Sequence, residues 1–64
     1  MNREQAQVEY LDLLNKKHDE EKRIIEDAKR RGIWRAGLDS NRELFVALDA
    51  EYAKKIEELK ARYQ

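Results

Sequence analysis

The sequence predicts an all-α protein: an antiparallel helical hairpin that dimerises into a four-helix bundle. Proline is absent from the 64 residues, and the only two glycines, Gly32 and Gly37, lie close together near the middle of the chain. The segments on either side are rich in Glu, Lys, Arg, Ala and Leu, which are good helix formers. Apolar residues in both segments recur at helical spacing, so two helices joined by a glycine-containing connection are expected.

The first helix is predicted over residues 3–31. Asn2 is a suitable N-cap, and Gln5 three residues later completes a capping pattern. Basic side chains fill the last turn, where positive charge is favourable beside the helix dipole. Gly32 follows in the position that favours a left-handed C-cap, and apolar Ile33 comes next, as in a Schellman motif.

The connection is predicted over residues 32–39 and the second helix over residues 40–63. Ser40-Asn41-Arg42-Glu43 has the form of a capping box, in which the serine caps the helix and the glutamate reaches back. Asp39 is an alternative cap. A single continuous rod is the competing fold, and the glycines together with the capping box argue against it. The whole chain, residues 1–64, is therefore predicted to be one helical-hairpin domain.

Opposite charges recur four residues apart in the favourable order, acid before base. Each such pair stabilises an exposed helix by about 0.2–0.5 kcal/mol, so most charges are expected to form a solvated helix surface. The pairs are Asp12–Lys16, Asp19–Arg23, Glu26–Arg30, Asp27–Arg31, Glu51–Lys55 and Glu58–Arg62.

The two helices have apolar faces of different widths. On helix 2 the apolar residues fall within an arc of about 120°, wide enough for one partner, and Val46 lies almost opposite its centre. That stripe contains Leu44, Phe45, Leu48, Tyr52, Ile56, Leu59 and Tyr63. On helix 1 the apolar residues spread over roughly 220°, which indicates two partners. We expect helix 2 to be one of them and a second copy of the chain to be the other.

The predicted homodimer is antiparallel, and a different protein partner would satisfy the same reasoning. The residues expected on the dimer or partner face are Val8, Leu11, Leu14, Ile25 and Val46.

A polar pair, His18 and Glu21, interrupts the apolar face of helix 1. Lying three residues apart on a helix, the two side chains are able to touch. The leading interpretation is a structural pair that fixes the register of a helical seam. A pH-sensitive contact and a metal site shared across a dimer are the alternatives.

The connection and its flanks combine a tryptophan with arginines. Apolar residues there usually fold back to cover the end of a hairpin, but Trp and Arg are also enriched at binding hot spots. A phosphate-gripping or base-stacking role is a further alternative. The residues of this predicted tip are Trp34, Arg30, Arg31, Arg35 and Ile33.

Composition excludes several functional classes. Without cysteine there is no disulfide or thiolate metal site, and one histidine does not make an imidazole-rich zinc site. No glycine-rich phosphate loop, nucleophile or paired Glu-x-x-His motif is present, so no catalytic residue, metal or cofactor is expected. The 14 basic and 14 acidic residues balance, which disfavours nucleic acid as the partner. No signal-like or membrane-spanning segment is seen, so a cytoplasmic protein without membrane contact is expected.

Two families resemble this chain. In size and hairpin plan it resembles the small RNA-binding regulators of plasmid copy number, which implies a dimeric four-helix bundle. Leu48-Asp49 on helix 2 matches the end of the Ser-Gln-x-Leu-Asp motif, and on these two residues the hairpin resembles the small aspartyl-phosphate phosphatases of sporulating bacilli. Residues 45 and 46 read Phe-Val instead of Ser-Gln. The second resemblance implies that Asp49 is the residue to test.

The predicted function is that of a small non-catalytic interaction or regulatory module, which presents a helical surface to a macromolecular partner. A nucleic-acid-binding hairpin regulator is one alternative. A small phosphatase or inhibitor acting on a two-component signalling protein is the other.

Overall fold

The structure, a computed structural model, describes residues 3–37 and 40–63 and confirms the all-α helical hairpin. Helix α1 spans Arg3–Arg30, and helix α2 spans Val46–Arg62. A 3₁₀ helix over Arg42–Phe45 leads directly into α2. The predicted caps Asn2 and Asp39 lie outside the described residues.

Helix α1 ends in the predicted Schellman motif, one residue earlier than expected. Gly32 adopts a left-handed conformation with φ +74°. The N–H of Ile33 donates to the carbonyl oxygen of Ala28 at 2.9 Å, and the N–H of Gly32 donates to that of Lys29 at 3.1 Å. These two bonds satisfy carbonyl groups that the end of a helix leaves without partners, so α1 stops here and the chain turns away.

The predicted capping box at the start of helix 2 is wrong, because its side chains bond to the connection instead. The hydroxyl of Ser40 donates to the carbonyl oxygen of Ala36 at 3.0 Å. The buried amide of Asn41 holds Arg35 twice: its Oδ1 accepts from the backbone N–H at 2.9 Å, and its Nδ2 donates to the carbonyl oxygen at 2.7 Å. Asn41 occupies the N-cap position of the 3₁₀ helix without a side-chain capping bond, and the α-helix begins only at Val46.

Gly37 completes this tight connection. Its φ is +125°, and a Cβ atom at this position would lie 2.5 Å from the Oγ of Ser40. Only glycine accepts both the backbone conformation and the approach of the serine hydroxyl.

The predicted stripe of helix 2 is confirmed as the side that packs on α1. Leu48, Tyr52 and Leu59 are buried, together with Ala28 of α1. Half-buried side chains extend the stripe at both ends, namely Leu44, Phe45, Ile56 and Tyr63. Val46 points away from this stripe and is 59% exposed, as its position on the helix predicts.

Charged residues of α1 take part in the seam between the helices. The hydroxyl of Tyr52 donates to a carboxylate oxygen of Glu20, and the hydroxyl of Tyr63 donates to one of Glu9. Leu13 of α1 lies half-buried between these positions. The seam is therefore polar at intervals, with each carboxylate satisfied by a tyrosine.

Two ion pairs add to the contacts across the seam. The Nζ of Lys17 lies 3.1 Å from the Oδ1 of Asp49, and the Nη2 of Arg62 lies 3.4 Å from the Oε1 of Glu9. Pairs within one helix also form. The expected ones found are Asp12–Lys16, Asp27–Arg31 and Glu51–Lys55.

The hairpin is a thin rod. Its extents are 47 × 16 × 15 Å and its radius of gyration is 14.7 Å, whereas a compact domain of this length has a radius near 11 Å. Two helices side by side leave most of each helix surface open, and that open surface contains the candidate site.

Candidate functional site

An exposed apolar patch lies on the first half of α1, extending from the edge of the contact with α2 onto the outer side. We call it the α1 patch: Val8, Tyr10, Leu11 and Leu14, which are 65%, 42%, 58% and 38% exposed. Three of these residues were predicted to face a partner. They are large side chains close together on one helix surface, so they differ from the scattered apolar residues of an ordinary exterior.

An open groove of about 510 Å³ lies further along the same flank, beside the connection. Ile25, Trp34 and Phe45 supply its apolar walls, and His18 and Glu21 line it next to them. We call it the connection groove. It includes the fourth predicted partner-face residue of α1, Ile25, and joins both helices to the connection.

The predicted tip does not form one cluster. Trp34 lies half-buried in the connection groove, with the Nζ of Lys29 at 5.9 Å from its ring centroid. Ile33 and Arg35 line a separate, smaller recess. Lys29 is therefore a cation beside the tryptophan, and Arg42 lines the same groove.

Arg30 and Arg31 both bind one carboxylate, that of Asp27. Their guanidinium groups lie 3.0 and 3.4 Å from its two oxygens. The hydrogen bond from Arg30, supported by that from Arg31, holds the pKa of Asp27 below its ordinary value. The positive charge of both arginines is thus partly neutralised within the chain.

His18 and Glu21 lie on the flank of α1 and do not enter the seam with α2. The Nδ1 of His18 is 3.7 Å from the Oε1 of Glu21, and the side chains are 66% and 34% exposed. A second surface against this flank is needed to bury them. The structure thus brings the pair beside Ile25 and Trp34 in the groove.

Asp49, the residue singled out by the phosphatase resemblance, also lines the connection groove. Its carboxylate contacts Lys17 at 3.1 Å, and its side chain is 54% exposed. The contact across the seam gives Asp49 a structural role in holding the two helices together.

Sequence reasoning missed the polar residues of the seam. Hydrogen bonding to Glu20, followed by burial, raises the pKa of Tyr52 to about 12, and Glu9 raises the pKa of Tyr63 in the same way. A signal for this pairing is present in the sequence, because the two tyrosines and the two glutamates are each eleven residues apart. Eleven residues make close to three helical turns, which returns both members of a pair to one side.

Asn41 is the other residue that sequence reasoning missed. The expected capping box gave it no role, yet its amide fixes the backbone of Arg35 from both sides. Asparagine side chains commonly bond to nearby backbone in turns. The position of Asn41, between the glycine-containing connection and helix 2, is therefore a usable signal.

In residues 3–37 and 40–63, no group of three or more His, Asp or Glu side chains is placed to hold a metal ion. No helix in the described part of the chain is long and apolar enough to cross a membrane. Comparisons with protein-family models, with curated proteins and with solved structures found no match.

Proposed function

We propose that this chain is a small non-catalytic interaction module that presents the α1 patch to another helical surface, and that its first partner is a second copy of itself. The observation that carries the proposal is the exposure of Val8, Leu11 and Leu14 on a helix whose covered side includes charged residues. Burying apolar surface lowers the free energy by about 25 cal/mol per Å². Covering this side with a partner therefore contributes favourably to association.

The exposed area supports the proposal. The chain exposes 5,501 Å², whereas a compact monomer of 7.7 kDa exposes about 4,300 Å². The difference is about 1,200 Å², and one partner contributes about 800 Å² to a standard interface. Two hairpins therefore have enough open surface to form a stable pair.

The small core supports it too. Ala28, Leu48, Tyr52 and Leu59 are the buried apolar residues of the described ranges. Below about 70–80 residues, one hydrophobic core seldom supplies more than about 3–5 kcal/mol, and natural domains of this size commonly add disulfides, metals or association. With no cysteine in the chain, association is the stabilisation that fits.

Sedimentation equilibrium tests the proposal. The natural chain is expected to sediment at twice the monomer mass at micromolar concentration, and Leu11→Gln is expected to shift it towards monomer. The matched control is Arg23→Gln, because Arg23 is exposed and lies across the helix from the α1 patch, in a recess with Tyr52 and Lys55. A monomeric natural chain, or equal weakening by both variants, would contradict the proposal.

Nucleic-acid binding is a weaker proposal, because two of the three arginines it needs share the carboxylate of Asp27. Such binding would fall steeply between low and moderate salt, whereas apolar pairing would not. For the phosphatase alternative, the contact of Asp49 with Lys17 favours a structural role. A cytoplasmic location belongs to the proposal as well, since a chain without cysteine suits a reducing compartment.

A further inference from the structure

We infer that the second copy lies antiparallel along α1, so that His18 faces Glu21 of the partner subunit and Leu14 faces Ile25 of the partner subunit. This inference rests on the proposed function and adds the orientation and register of the pair. It makes the connection groove of each copy the seat of Leu11 and Leu14 of the other.

The spacing along the flank of α1 is that of a helix-pairing row. Leu11, Leu14, His18, Glu21 and Ile25 follow one another at alternating steps of three and four residues. Such steps keep side chains in one seam between two helices. The row is apolar at both ends and polar in the middle, and it lies on a flank that α2 leaves largely open.

Charge selects the antiparallel orientation. A parallel pair in register would place Glu21 against Glu21 of the partner subunit, and like charges facing each other weaken a seam. Reversing one copy places His18 against Glu21 of the partner subunit on both sides of the two-fold axis. The same reversal brings Leu14 against Ile25 of the partner subunit, so both of these layers pair like polarity with like.

The neighbouring register is less favourable. Sliding one copy by a heptad would place Leu14 against His18 of the partner subunit and Leu11 against Glu21 of the partner subunit. Polar groups would then be buried against leucine side chains without hydrogen bonds, which costs free energy.

The connection groove has the shape and lining to receive the other copy. Its volume of about 510 Å³ and its walls of Ile25, Trp34 and Phe45 suit leucine side chains. In the antiparallel pair, Leu14 and then Leu11 of the partner subunit reach this groove. The exposed leucines near the start of α1 in one copy thereby cover the apolar groove near the end of α1 in the other copy.

Helix α2 is compatible with the same arrangement. Asp49 lines the groove flank, and Val46 and Ala53 lie one helical turn before and after it, on the same side. Both are exposed. The small side chain of Ala53 lies opposite the middle of α1 and allows the second α2 to approach closely, as a four-helix bundle requires.

Cysteine cross-linking tests the orientation, because the natural chain has no cysteine of its own. Leu14→Cys chains are mixed with Ile25→Cys chains and treated with a short thiol cross-linker. The mixed product is expected to exceed that from Leu14→Cys with Arg23→Cys by at least about tenfold, because seated thiols react at millimolar effective concentration. Efficient cross-linking of Leu14→Cys with itself, or an absence of excess, would overturn the inference.

A charge exchange tests the register if a cysteine variant does not associate. His18→Glu places Glu against Glu21 of the partner subunit in its own homodimer, and Glu21→Lys places Lys against His18 of the partner subunit. Mixing these two chains removes both conflicts. Native mass spectrometry is expected to show a ratio of heterodimer to each homodimer about tenfold above the statistical ratio of about two. A statistical mixture overturns the register but leaves the proposed association intact, whereas a monomeric natural chain overturns both.

Discussion

Both sides of α1 mix polar with apolar side chains, although only one of them packs on α2. The side that packs on α2 includes Glu9, Lys17 and Glu20, while the first half of the outer side presents Val8 and Leu11. Helix α2 shows no such mixture on its covered side, since its apolar stripe is the side that α1 covers. We therefore expect α1 to use its outer side as a second interface, in addition to the polar-tolerant one with α2.

The inner side tolerates charge because its partners are tyrosines and opposite charges. A tyrosine contributes a large apolar ring to the seam and a hydroxyl that satisfies a carboxylate at its edge. Tyr52 and Tyr63 do this for Glu20 and Glu9, and the part of the chain that the structure describes has no buried side-chain polar atom without a hydrogen bond. The outer side presents exposed Val8 and Leu11 instead, which is why we propose that it binds a second protein surface.

The largest effect is expected for a leucine in the seam between the helices, and a much smaller one for a leucine on the outer side of α1. Leu59 is 4% exposed and packs on α1, so Leu59→Ala is expected to cost about 2–5 kcal/mol of unfolding free energy. Leu11 is 58% exposed, so Leu11→Ala is expected to change the stability of the monomer by less than about 0.5 kcal/mol. Urea denaturation measures both.

Protein concentration sharpens this comparison. If the outer side is an interface, the cost of Leu11→Ala grows with concentration, because association stabilises only the folded chain. A cost for Leu11→Ala that is the same at all concentrations would contradict a role in self-association. A cost for Leu59→Ala as small as that for Leu11→Ala would contradict the assignment of the inner side.

The next effect is expected at Asn41, which fixes the connection that sets α1 against α2. Asn41→Ala leaves the backbone N–H and carbonyl of Arg35 without their partners, at a cost of about 1–3 kcal/mol. Ser40→Ala is the control, because it removes one exposed hydroxyl bond and is expected to cost about 0.5–1 kcal/mol. Thermal denaturation followed by circular dichroism ranks them, and equal costs would contradict the bridging role of Asn41.

A smaller effect is expected at the glycines. Gly32→Ala forces alanine into a left-handed conformation in open space and is expected to cost about 1–2 kcal/mol. Gly37→Ala adds a clash with Ser40 and is expected to cost more than Gly32→Ala. The double variant Gly37→Ala/Ser40→Ala removes the 2.5 Å contact and is expected to recover part of that extra cost. No recovery in urea denaturation would show that the serine hydroxyl moves aside freely.

The tyrosines that contact the inner side of α1 are expected to have the smallest effect near neutral pH. Their effect is expected to become clear in alkali. The pKa of Tyr52 is raised from 10.0 to about 12, so the unfolded chain releases this proton first. Its contribution to stability is complete below pH 10 and is lost as the pH rises through 12. Tyr52→Phe is expected to make stability fall less steeply over this range in denaturation at a series of pH values. An unchanged slope would contradict the contact with Glu20.

The sequence was sufficient to predict the helical hairpin and the side of helix 2 that packs on α1. Gly32 and Ile33 predicted how α1 ends, and the narrow stripe of helix 2 predicted its buried side, because both are local or periodic signals. The start of α2 was not predictable in this way. Ser40 has the residue type of a cap, but its hydroxyl and the amide of Asn41 bond to the connection, and only the folded geometry decides between these partners.

The rotation of α1 about its axis was the main feature that the sequence left open. A broad apolar arc does not tell which part of it faces α2, since the choice depends on the tyrosines that satisfy Glu9 and Glu20. The contacts of the predicted tip residues were left open as well. Arg30 and Arg31 bind the carboxylate of Asp27, and only the folded geometry shows this choice.

The bonds between Asn41 and Arg35 have a consequence for the order in which the hairpin forms and opens. They join groups six residues apart, so closing this loop sacrifices little chain entropy, and we expect the two helices to come together first at this end. Tyr63 and Glu9 are separated by 54 positions and lie at the opposite end, so we expect their contact to form last. Amide hydrogen exchange should accordingly slow progressively from the two termini towards the connection, as expected for a structure that unfolds from its open end.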